Sequence, residues 1–366
     1  MKFKSERDIL VEALSAASRV VATRLIGASS GVLLSLVGNH LTVTGTDLDI
    51  TVRTKVDVIG LEDGSCVVPA RLIVDAVRSL EAGAVTIASS EETVEVSLGR
   101  AKFSLRTFSV MDYPNLPPVS GALTSIAALD LIQGLNQVVR AAANDDARPL
   151  LTGVLFTTEE GTLRLIATDS YRLAVRDVPG VSGIGGNHDL LVPARALQEL
   201  QRAAASLSAD AEIGVTLTDA EICFIVGTTT IASRLIDGNY PSVLQLIPAS
   251  YPNQMRIAKD TLLTSLKRAK LLAKDSTSSV RLTMKDKTVE IRTQSHDAGD
   301  VEDNVDADYN GEEMTIAFNP SFLIDGIEAV PGDEVMLEMS DAVRPAMVHG
   351  VEDTRFRYLL MPVRVQ

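Results

Sequence analysis

The sequence predicts an α+β fold of three similar domains, each with two helices carried on antiparallel sheets. The chain has 366 residues, which is too long for one hydrophobic core of ordinary size. Several short patterns recur at a spacing of about 120 residues. Between them, apolar and polar residues alternate as they do in half-buried strands. We therefore expect three domains, at 1–120, 121–249 and 250–366.

The first element of each repeat is a predicted helix that starts with an aspartate. Asp8, Asp130 and Asp260 each precede apolar residues at helical spacing. An acidic first turn is favourable because it faces the positive end of the helix dipole. These patterns predict helices over 5–24, 128–148 and 258–275.

The next element is a strand that ends in a Thr-Asp turn. Gly45-Thr46-Asp47-Leu48-Asp49-Ile50 follows one alternating apolar run, and Ala167-Thr168-Asp169-Ser170-Tyr171-Arg172-Leu173-Ala174 follows another. An aspartate in such a turn can accept hydrogen bonds from nearby backbone N–H groups. Because the pair recurs, we expect structural turns here and not acid catalysis.

The third element is a second helix that is entered through a proline. Val-Pro-Ala-Arg occurs at 68–71 and again at 192–195, and Phe-Asn-Pro-Ser at 318–321 is an altered third copy. Proline suits the first turn of a helix because its missing N–H has no intrahelical partner there. The three copies predict helices over 70–82, 194–206 and 320–330, each followed by further strands.

Charge and composition narrow the function. The formal net charge of −14 opposes a nucleic-acid partner, since phosphate binding depends on Lys and Arg. However, the six predicted helices carry about as many basic as acidic residues, so the acidic excess lies in the rest of the chain. No apolar run approaches the roughly 18 residues of a membrane span, and the charged N-terminal segment does not have the pattern of a signal peptide. We expect a cytoplasmic protein.

Catalytic and metal sites find little support in the sequence. Cys66 and Cys223 lie in apolar alternating stretches and are predicted to be buried hydrophobes. The four histidines are scattered, and no metal or cofactor is predicted. The segment 27–31 matches G-x-S-x-G, but that motif needs a strand before it and a helix after it, and the patterns here are reversed. The acidic run 297–308 lacks the register of a calcium loop; a solvated loop or an interface is expected. A repeat-built α+β hydrolase is the alternative function class.

The order of these elements over the whole chain resembles the bacterial DNA polymerase III beta subunit family, the sliding clamps. The segments that carry the resemblance are 45–50, 167–174, 237–241 and 358–364. It implies a non-enzymatic processivity factor, a head-to-tail homodimer whose six domains close into a ring around duplex DNA, with helices inside and sheet outside. It also implies short peptide partners from the DNA polymerase III catalytic subunit, the clamp loader, other polymerases and repair proteins.

Three sets of site residues follow from the resemblance. Basic residues on the predicted helices are expected to face DNA: Arg24, Arg71, Arg140, Arg195, Arg202, Lys267, Arg268 and Lys270. Apolar residues with a few polar ones are expected to form the peptide groove: Leu151, Thr168, Ser170, Tyr171, Arg172, Leu173, Pro241, Leu246, Phe322, Val343, Pro345, Met361, Pro362, Val363 and Arg364. In the subunit interface, Phe103 and Leu105 are expected to meet Leu271 and Leu272, with Arg100, Lys102 or Arg106 facing the acidic run.

The sequence also departs from the family pattern. The segment 24–33 replaces a proline-rich stretch, Ser170 stands where Gly or Arg is common, the stretch 242–245 lacks a basic residue, and Pro345 replaces a small polar one. One hypothesis is therefore a divergent second clamp copy whose groove resists a groove-directed inhibitor. Equal inhibitor affinities for this protein and for an ordinary clamp would contradict it.

Overall fold

The computed structural model describes residues 1–22, 26–116, 119–145, 147–179, 181, 184, 188–273, 279–295 and 299–364. It divides into two compact units. Unit 1 comprises Met1–Leu129 and Arg195–Leu235, and unit 2 comprises Asp130–Ala194 and Ile236–Gln366. The predicted domain ranges 1–120, 121–249 and 250–366 stay a prediction.

A helix begins within a few residues of each of the six predicted starts. The helices of the described residues are α1 (Arg7–Val20), α2 (Ala70–Arg78), α3 (Ala128–Val138), α4 (Ala194–Ala203), α5 (Lys259–Lys270) and α6 (Pro320–Ala329). All are shorter than expected. Pro69 and Pro193 are the last residues of β6 and β14 and lie immediately before α2 and α4, with Pro69 as the N-cap of α2. The predicted first-turn position is therefore wrong by one residue for these two prolines, and Pro320 occupies it. The side chain of Asn319 caps α6 by accepting from the N–H groups of Ser321 and Phe322.

Antiparallel strands make up the rest of the regular structure. In chain order they are β1 (Lys2–Glu6), β2 (Gly31–Val37), β3 (His40–Thr46), β4 (Ile50–Asp57), β5 (Ile59–Glu62), β6 (Gly64–Pro69), β7 (Ala84–Ser89), β8 (Thr93–Leu98), β9 (Ala101–Arg106), β10 (Thr124–Ala127), β11 (Gly153–Glu159), β12 (Thr162–Thr168), β13 (Arg172–Val178), β14 (Leu190–Pro193), β15 (Glu212–Leu217), β16 (Glu221–Val226), β17 (Thr229–Arg234), β18 (Asn253–Ala258), β19 (Val280–Lys285), β20 (Thr288–Ser295), β21 (Gly299–Asp306), β22 (Asp308–Asn310), β23 (Met314–Phe318), β24 (Glu334–Met339), β25 (Ala346–Gly350) and β26 (Phe356–Leu360).

Each unit contains two sheets. In unit 1 the strand orders are β5-β1-β7-β8-β9 and β10-β15-β16-β17-β4-β3-β2-β6. In unit 2 they are β14-β11-β12-β13-β26-β25-β24-β18-β22 and β21-β20-β19-β23. The core of unit 1 includes Phe3, Leu10 and Leu14, all fully buried between α1 and the sheets. The alternating patterns that predicted strands therefore bury one face of each sheet against helices.

The repeats join in the same way at two places. In unit 1, β17 pairs with β4 so that Ser233 lies opposite Ile50. In unit 2, β26 pairs with β13 so that Leu360 lies opposite Arg172. In both cases the last strand of one repeat extends a sheet begun by the preceding repeat. A single strand-pairing scheme thus serves both junctions.

Other expectations meet the structure with mixed results. The described part of the acidic run, from residue 299, forms the edge strand β21 and continues into β22, so a solvated loop is wrong there; Asp297 lies outside the described residues. Gly27–Ser30 is a 3-10 turn that leads into β2, so it has no helix after it. Cys66 and Cys223 are buried free thiols, and burial raises their pKa values to about 12 and about 11.

The described residues offer no metal cluster and no bilayer span. Groups of three or more His, Cys, Asp or Glu that could hold a metal ion are not found among them. None of the described helices has the length and apolar character required to span a bilayer.

Candidate peptide groove and DNA-facing residues

The turn between β12 and β13 is built by its own side chains. One carboxylate oxygen of Asp169 accepts hydrogen bonds from the N–H groups of Tyr171 (2.9 Å) and Arg172 (3.0 Å). The hydroxyl of Thr168 donates to the carbonyl of Arg172 (2.6 Å) and accepts from the N–H of Ser170 (3.1 Å). Ser170 adopts a left-handed conformation with φ 78°. The predicted structural turn is confirmed, and it leaves the Tyr171 side chain exposed.

The same turn occurs between β3 and β4 in unit 1. Asp47 accepts from the N–H groups of Asp49 (3.1 Å) and Ile50 (2.8 Å), and Leu48 has φ 81°. The hydroxyl of Thr46 donates to the carbonyl of Ile50 (3.1 Å). Since both copies use their Thr and Asp to fix backbone, neither presents an acid for catalysis.

Arg172 lies beneath this turn and is almost fully engaged. Its guanidinium donates to Asp169 (3.0 Å), Asp325 (2.6 Å) and the carbonyl of Arg140 (2.5 Å). A longer bond reaches the hydroxyl of Tyr358 (3.4 Å). Burial by itself lowers the pKa of Arg172, but Tyr358, Asp325 and Asp169 together raise it above its usual range. With a side chain only 8% exposed, Arg172 holds the turn from within.

The Phe322 ring lies over the Arg172 guanidinium, and the Tyr171 ring stacks on Phe322. The Phe322 ring centre is 4.4 Å from the guanidinium carbon, which is a cation–π distance. The Tyr171 ring stacks on Phe322 with a centroid distance of 6.3 Å. The hydroxyl of Tyr358 donates to the carbonyl of Phe322 (2.8 Å) and thereby ties α6 to β26. Arg172 and the two rings form one layered contact at the sheet end.

A buried apolar floor and exposed apolar side chains occur in the same part of unit 2. The floor consists of mutually packed buried residues: Leu155, Ile166, Leu173, Val175, Leu191, Val243, Met347 and Leu359. The exposed large apolar residues of unit 2 near these segments, which we call the rim, are Tyr171, Leu244, Leu246, Val343, Met361 and Val363. We use the word groove for the floor and rim together. Exposed aliphatic and aromatic side chains in such number are typical of an interaction surface.

The chain after β26 is tied down on both sides. The N–H of Met361 donates to the carbonyl of Tyr171 (2.9 Å), and the N–H of Val363 donates to the carbonyl of Ala317 (2.8 Å). Pro362 lies between these two anchors, and Arg364 follows them as an exposed residue. The structure therefore brings Met361 next to Tyr171, as the resemblance implies.

Other predicted groove residues occupy varied places. Leu151 is buried in a 3-10 turn before β11, and the exposed Pro241 precedes the 3-10 turn that carries Leu246. Val343 and Pro345 lie between β24 and β25, where Asp341 accepts from the N–H of Val343 (2.9 Å).

Sequence reasoning named only Leu173 among the floor residues, and it also missed Leu244 on the rim and Arg148 beside Ser170. Leu359 is buried in the floor and lies opposite Leu173 in the strand ladder; its place two residues before the predicted groove residue Met361 is a period-two signal. Arg148 donates to the hydroxyl of Ser170 (2.8 Å). That contact joins residues far apart in sequence, so no local pattern indicates it.

Most of the predicted DNA-facing cations in unit 2 are held by carboxylates. Arg140 (3.1 Å) and Lys267 (2.9 Å) both bind Glu328 on α6. The hydrogen bond from Lys267, followed by that from Arg140, lowers the pKa of Glu328. Arg268 binds Asp303 (2.7 Å). The charge of each of these exposed cations is therefore already partly neutralised by a carboxylate.

Unit 1 repeats this arrangement. Arg195 binds Asp47 (2.9 Å), and Arg202 binds Glu199, which also accepts from Arg19 (2.8 Å). Within the described ranges, Arg71 and Lys270 are exposed and form no ion pair. Arg24 lies outside the described residues.

The predicted interface residues lie at sheet and helix ends. Phe103 and Leu105 are half-buried on β9, the outermost strand of its sheet. On that strand Lys102 pairs with Glu95 (2.5 Å) and Arg106 is exposed, as is Arg100 just before the strand. Leu271 and Leu272 follow α5, and the Leu271 side chain is 70% exposed.

Comparison with known proteins covers the whole chain. Models of the N-terminal, central and C-terminal domains of the DNA polymerase III beta subunit match residues 1–117, 125–242 and 244–364. A beta sliding clamp of Streptomyces coelicolor is 30% identical over 383 residues, and one of Pseudomonas aeruginosa is 29% identical over 369 residues. Each alignment spans 100% of both chains.

Solved structures agree. A sliding clamp (DNA polymerase III subunit beta) from Bartonella birtlesii, bound to griselimycin, superposes with a TM-score of 0.91 at 28% identity, over 100% of both chains. The DNA polymerase sliding clamp from Bacillus subtilis gives 0.87 at 28% identity, also over 100% of both chains. The chain therefore belongs to the DNA polymerase III beta subunit family, the sliding clamps, which act as non-catalytic processivity factors of DNA polymerase III.

Proposed function

We propose that the groove binds short extended peptides of the DNA polymerase III catalytic subunit, the clamp loader, other polymerases and repair proteins. The observation that carries this is the set of exposed apolar rim residues near a buried aliphatic floor. Mostly apolar surfaces with a few polar groups suit peptide anchors. Met361 and Tyr171 give the rim a polarizable, adaptable surface that different partners can share.

A binding measurement tests the groove. Leu246 is 56% exposed on the rim. We expect Leu246→Asp to weaken binding of a fluorescent clamp-binding peptide from a polymerase III catalytic subunit by roughly tenfold or more, because a carboxylate would be desolvated against the peptide. The matched control is Ile59→Asp, at an exposed apolar site (62%) in unit 1. Equal loss in both variants, or no loss in Leu246→Asp, would exclude the groove as the peptide site.

We further propose that two copies join head to tail through β9 and β21. Strand β9 ends its repeat as β17 and β26 end theirs, while β21 corresponds to β4 and β13. The two observed junctions pair those counterparts. Applying their register to two chains puts Lys102 opposite Glu302, and Phe103 opposite Val301, of the second copy. Opposite charges and apolar side chains then meet on adjacent strands.

The second helices support the same junction. Leu72 on α2 corresponds by repeat to Ala196 on α4 and Phe322 on α6. Ala196 is 0% exposed and Phe322 is half-buried, whereas Leu72 is 56% exposed. Because Leu271 is also largely exposed, Leu72 and the predicted interface leucines would bury apolar surface when a second copy covers them.

The closed dimer would encircle duplex DNA in the cytoplasm, with helices facing the phosphates. Arg71 and Lys270 are the strongest candidates for direct contact, since they form no ion pair within the described part of the chain. The other described candidates would have to exchange a carboxylate for a phosphate. Weak, water-screened contacts of this kind allow the duplex to slide. A divergent copy that resists a groove-directed inhibitor stays the alternative.

A further inference from the structure

Arg172 touches the groove on one side. Its guanidinium carbon lies 4.4 Å from the ring centre of Phe322. Phe322 in turn stacks on Tyr171, which is 59% exposed on the rim. A peptide seated on Tyr171 would shield this stack, and with it Arg172, from water.

On its other side Arg172 holds the end of a helix. It donates to the carbonyl of Arg140 at 2.5 Å. Arg140 lies in the 3-10 turn Val139–Ala141 that follows α3, where terminal carbonyls have no intrahelical partner. The N–H of Ala142 donates to the carbonyl of Val139 (3.2 Å), and that of Ala143 donates to the carbonyl of Leu151 (2.8 Å). Arg172 thus supports the backbone from which the Arg140 side chain projects toward Glu328.

The strength of these contacts depends on how much water reaches the guanidinium. Asp169 and Asp325 are ionic acceptors, and charge-assisted hydrogen bonds strengthen as the local dielectric falls. Covering the stack would tighten both ion pairs and, through the same rigid guanidinium, the bond to the Arg140 carbonyl. The planar fork of arginine allows one side chain to hold all these acceptors at once.

We propose that Arg172 is a positioning residue that couples peptide occupancy of the groove to the order of residues 139–143, and so to the presentation of Arg140 to DNA. This inference rests on the proposed peptide function of the groove. Coupling between two binding events is reciprocal, so DNA at Arg140 would also raise the affinity of the groove for peptide.

Hydrogen exchange measures the coupling without DNA. Amide exchange of the segment 139–143 is followed by mass spectrometry on the full chain, alone and saturated with the polymerase peptide. In the wild type we expect peptide to slow exchange there by on the order of fivefold. The effect disappears in Arg172→Met, and Arg172→Lys restores only part of it because an ammonium lacks the fork.

Arg176→Met is the matched control. Arg176 lies on the same strand, is equally buried, and binds Asp353 (3.0 Å) instead of the rings or Arg140. It should keep the peptide effect. If Arg172→Met does not fold, Asp325→Asn removes the negative charge from one acceptor of Arg172 and should reduce the effect.

The outcomes separate the two proposals. A wild type that binds no peptide overturns the groove function and the coupling together. Peptide binding with unchanged exchange at 139–143 overturns the coupling alone. Equal loss of the effect in Arg176→Met and Arg172→Met also overturns it, since the effect would then reflect general stability.

Discussion

Asp353 illustrates how single ion pairs stabilise unit 2. Its carboxylate accepts from Arg355 (2.8 Å) and from Arg176 (3.0 Å), the latter nearly buried on β13. The hydrogen bond from Arg355, and then that from Arg176, lowers the pKa of Asp353 well below its ordinary value. A carboxyl with a depressed pKa in the folded state contributes stability above its unfolded pKa, and this contribution is lost as the pH falls.

We expect Asp353→Asn to lower the free energy of unfolding by roughly 1 to 3 kcal/mol near neutral pH. The difference from wild type should shrink as the pH falls below about 4, the unfolded pKa of aspartate. Urea unfolding of both proteins over a pH series measures it. A difference that stays constant down to low pH would show that charge on Asp353 is not the cause.

At the scale of elements, short sequence patterns predicted the features that depend on interactions between residues close together in the chain. The helix starts and the Thr-Asp turns were predictable because their signals lie within a few residues of one another. Strand β21 was not, because its exposed edge carries acidic residues such as Asp300 and Glu302, so apolar alternation is weak. The contacts of Arg172 could not be predicted from the sequence either, since its partners Arg140 and Asp325 lie far away in sequence.

The proposed β9–β21 junction makes a charge-reversal prediction. Lys102→Glu and Glu302→Lys should each raise the dimer dissociation constant by roughly tenfold or more, because like charges would then face each other on adjacent strands. The two substitutions combined in one chain should restore much of the affinity, since the pair is only exchanged. Sedimentation across a concentration series measures this. Additive weakening in the double variant would place the residues apart.

At the scale of the whole molecule, the proposed ring would be retained on DNA because it encircles the duplex, and not because its side chains bind the duplex tightly. A closed ring would stay on DNA without strong local contacts, which fits cations already paired with Glu328, Asp47 and Glu199. We expect the protein, loaded by a clamp loader onto nicked circular DNA, to co-elute with it through gel filtration at moderate salt.

Linearising the DNA after loading should release the protein within the time of the column run, since an open end lets a ring slide off. Circular DNA incubated with the protein in the absence of the clamp loader serves as the control. Retention on linear DNA equal to that on circles would indicate ordinary electrostatic binding, and the ring would have to be abandoned.

One backbone hydrogen bond recurs just after the last strand of each repeat. The N–H groups of Phe108, Ile236 and Val363 donate to the carbonyls of Val67, Leu191 and Ala317, each at 2.8 Å. Each repeat thus carries both complementary edge strands and the same hydrogen bond after its last strand, so each repeat is a structural module. At the proposed boundary between subunits, two separate chains would meet through the same strand pairing as at the junctions within one chain. Joining two copies in tandem should therefore leave every junction intact and make assembly independent of concentration.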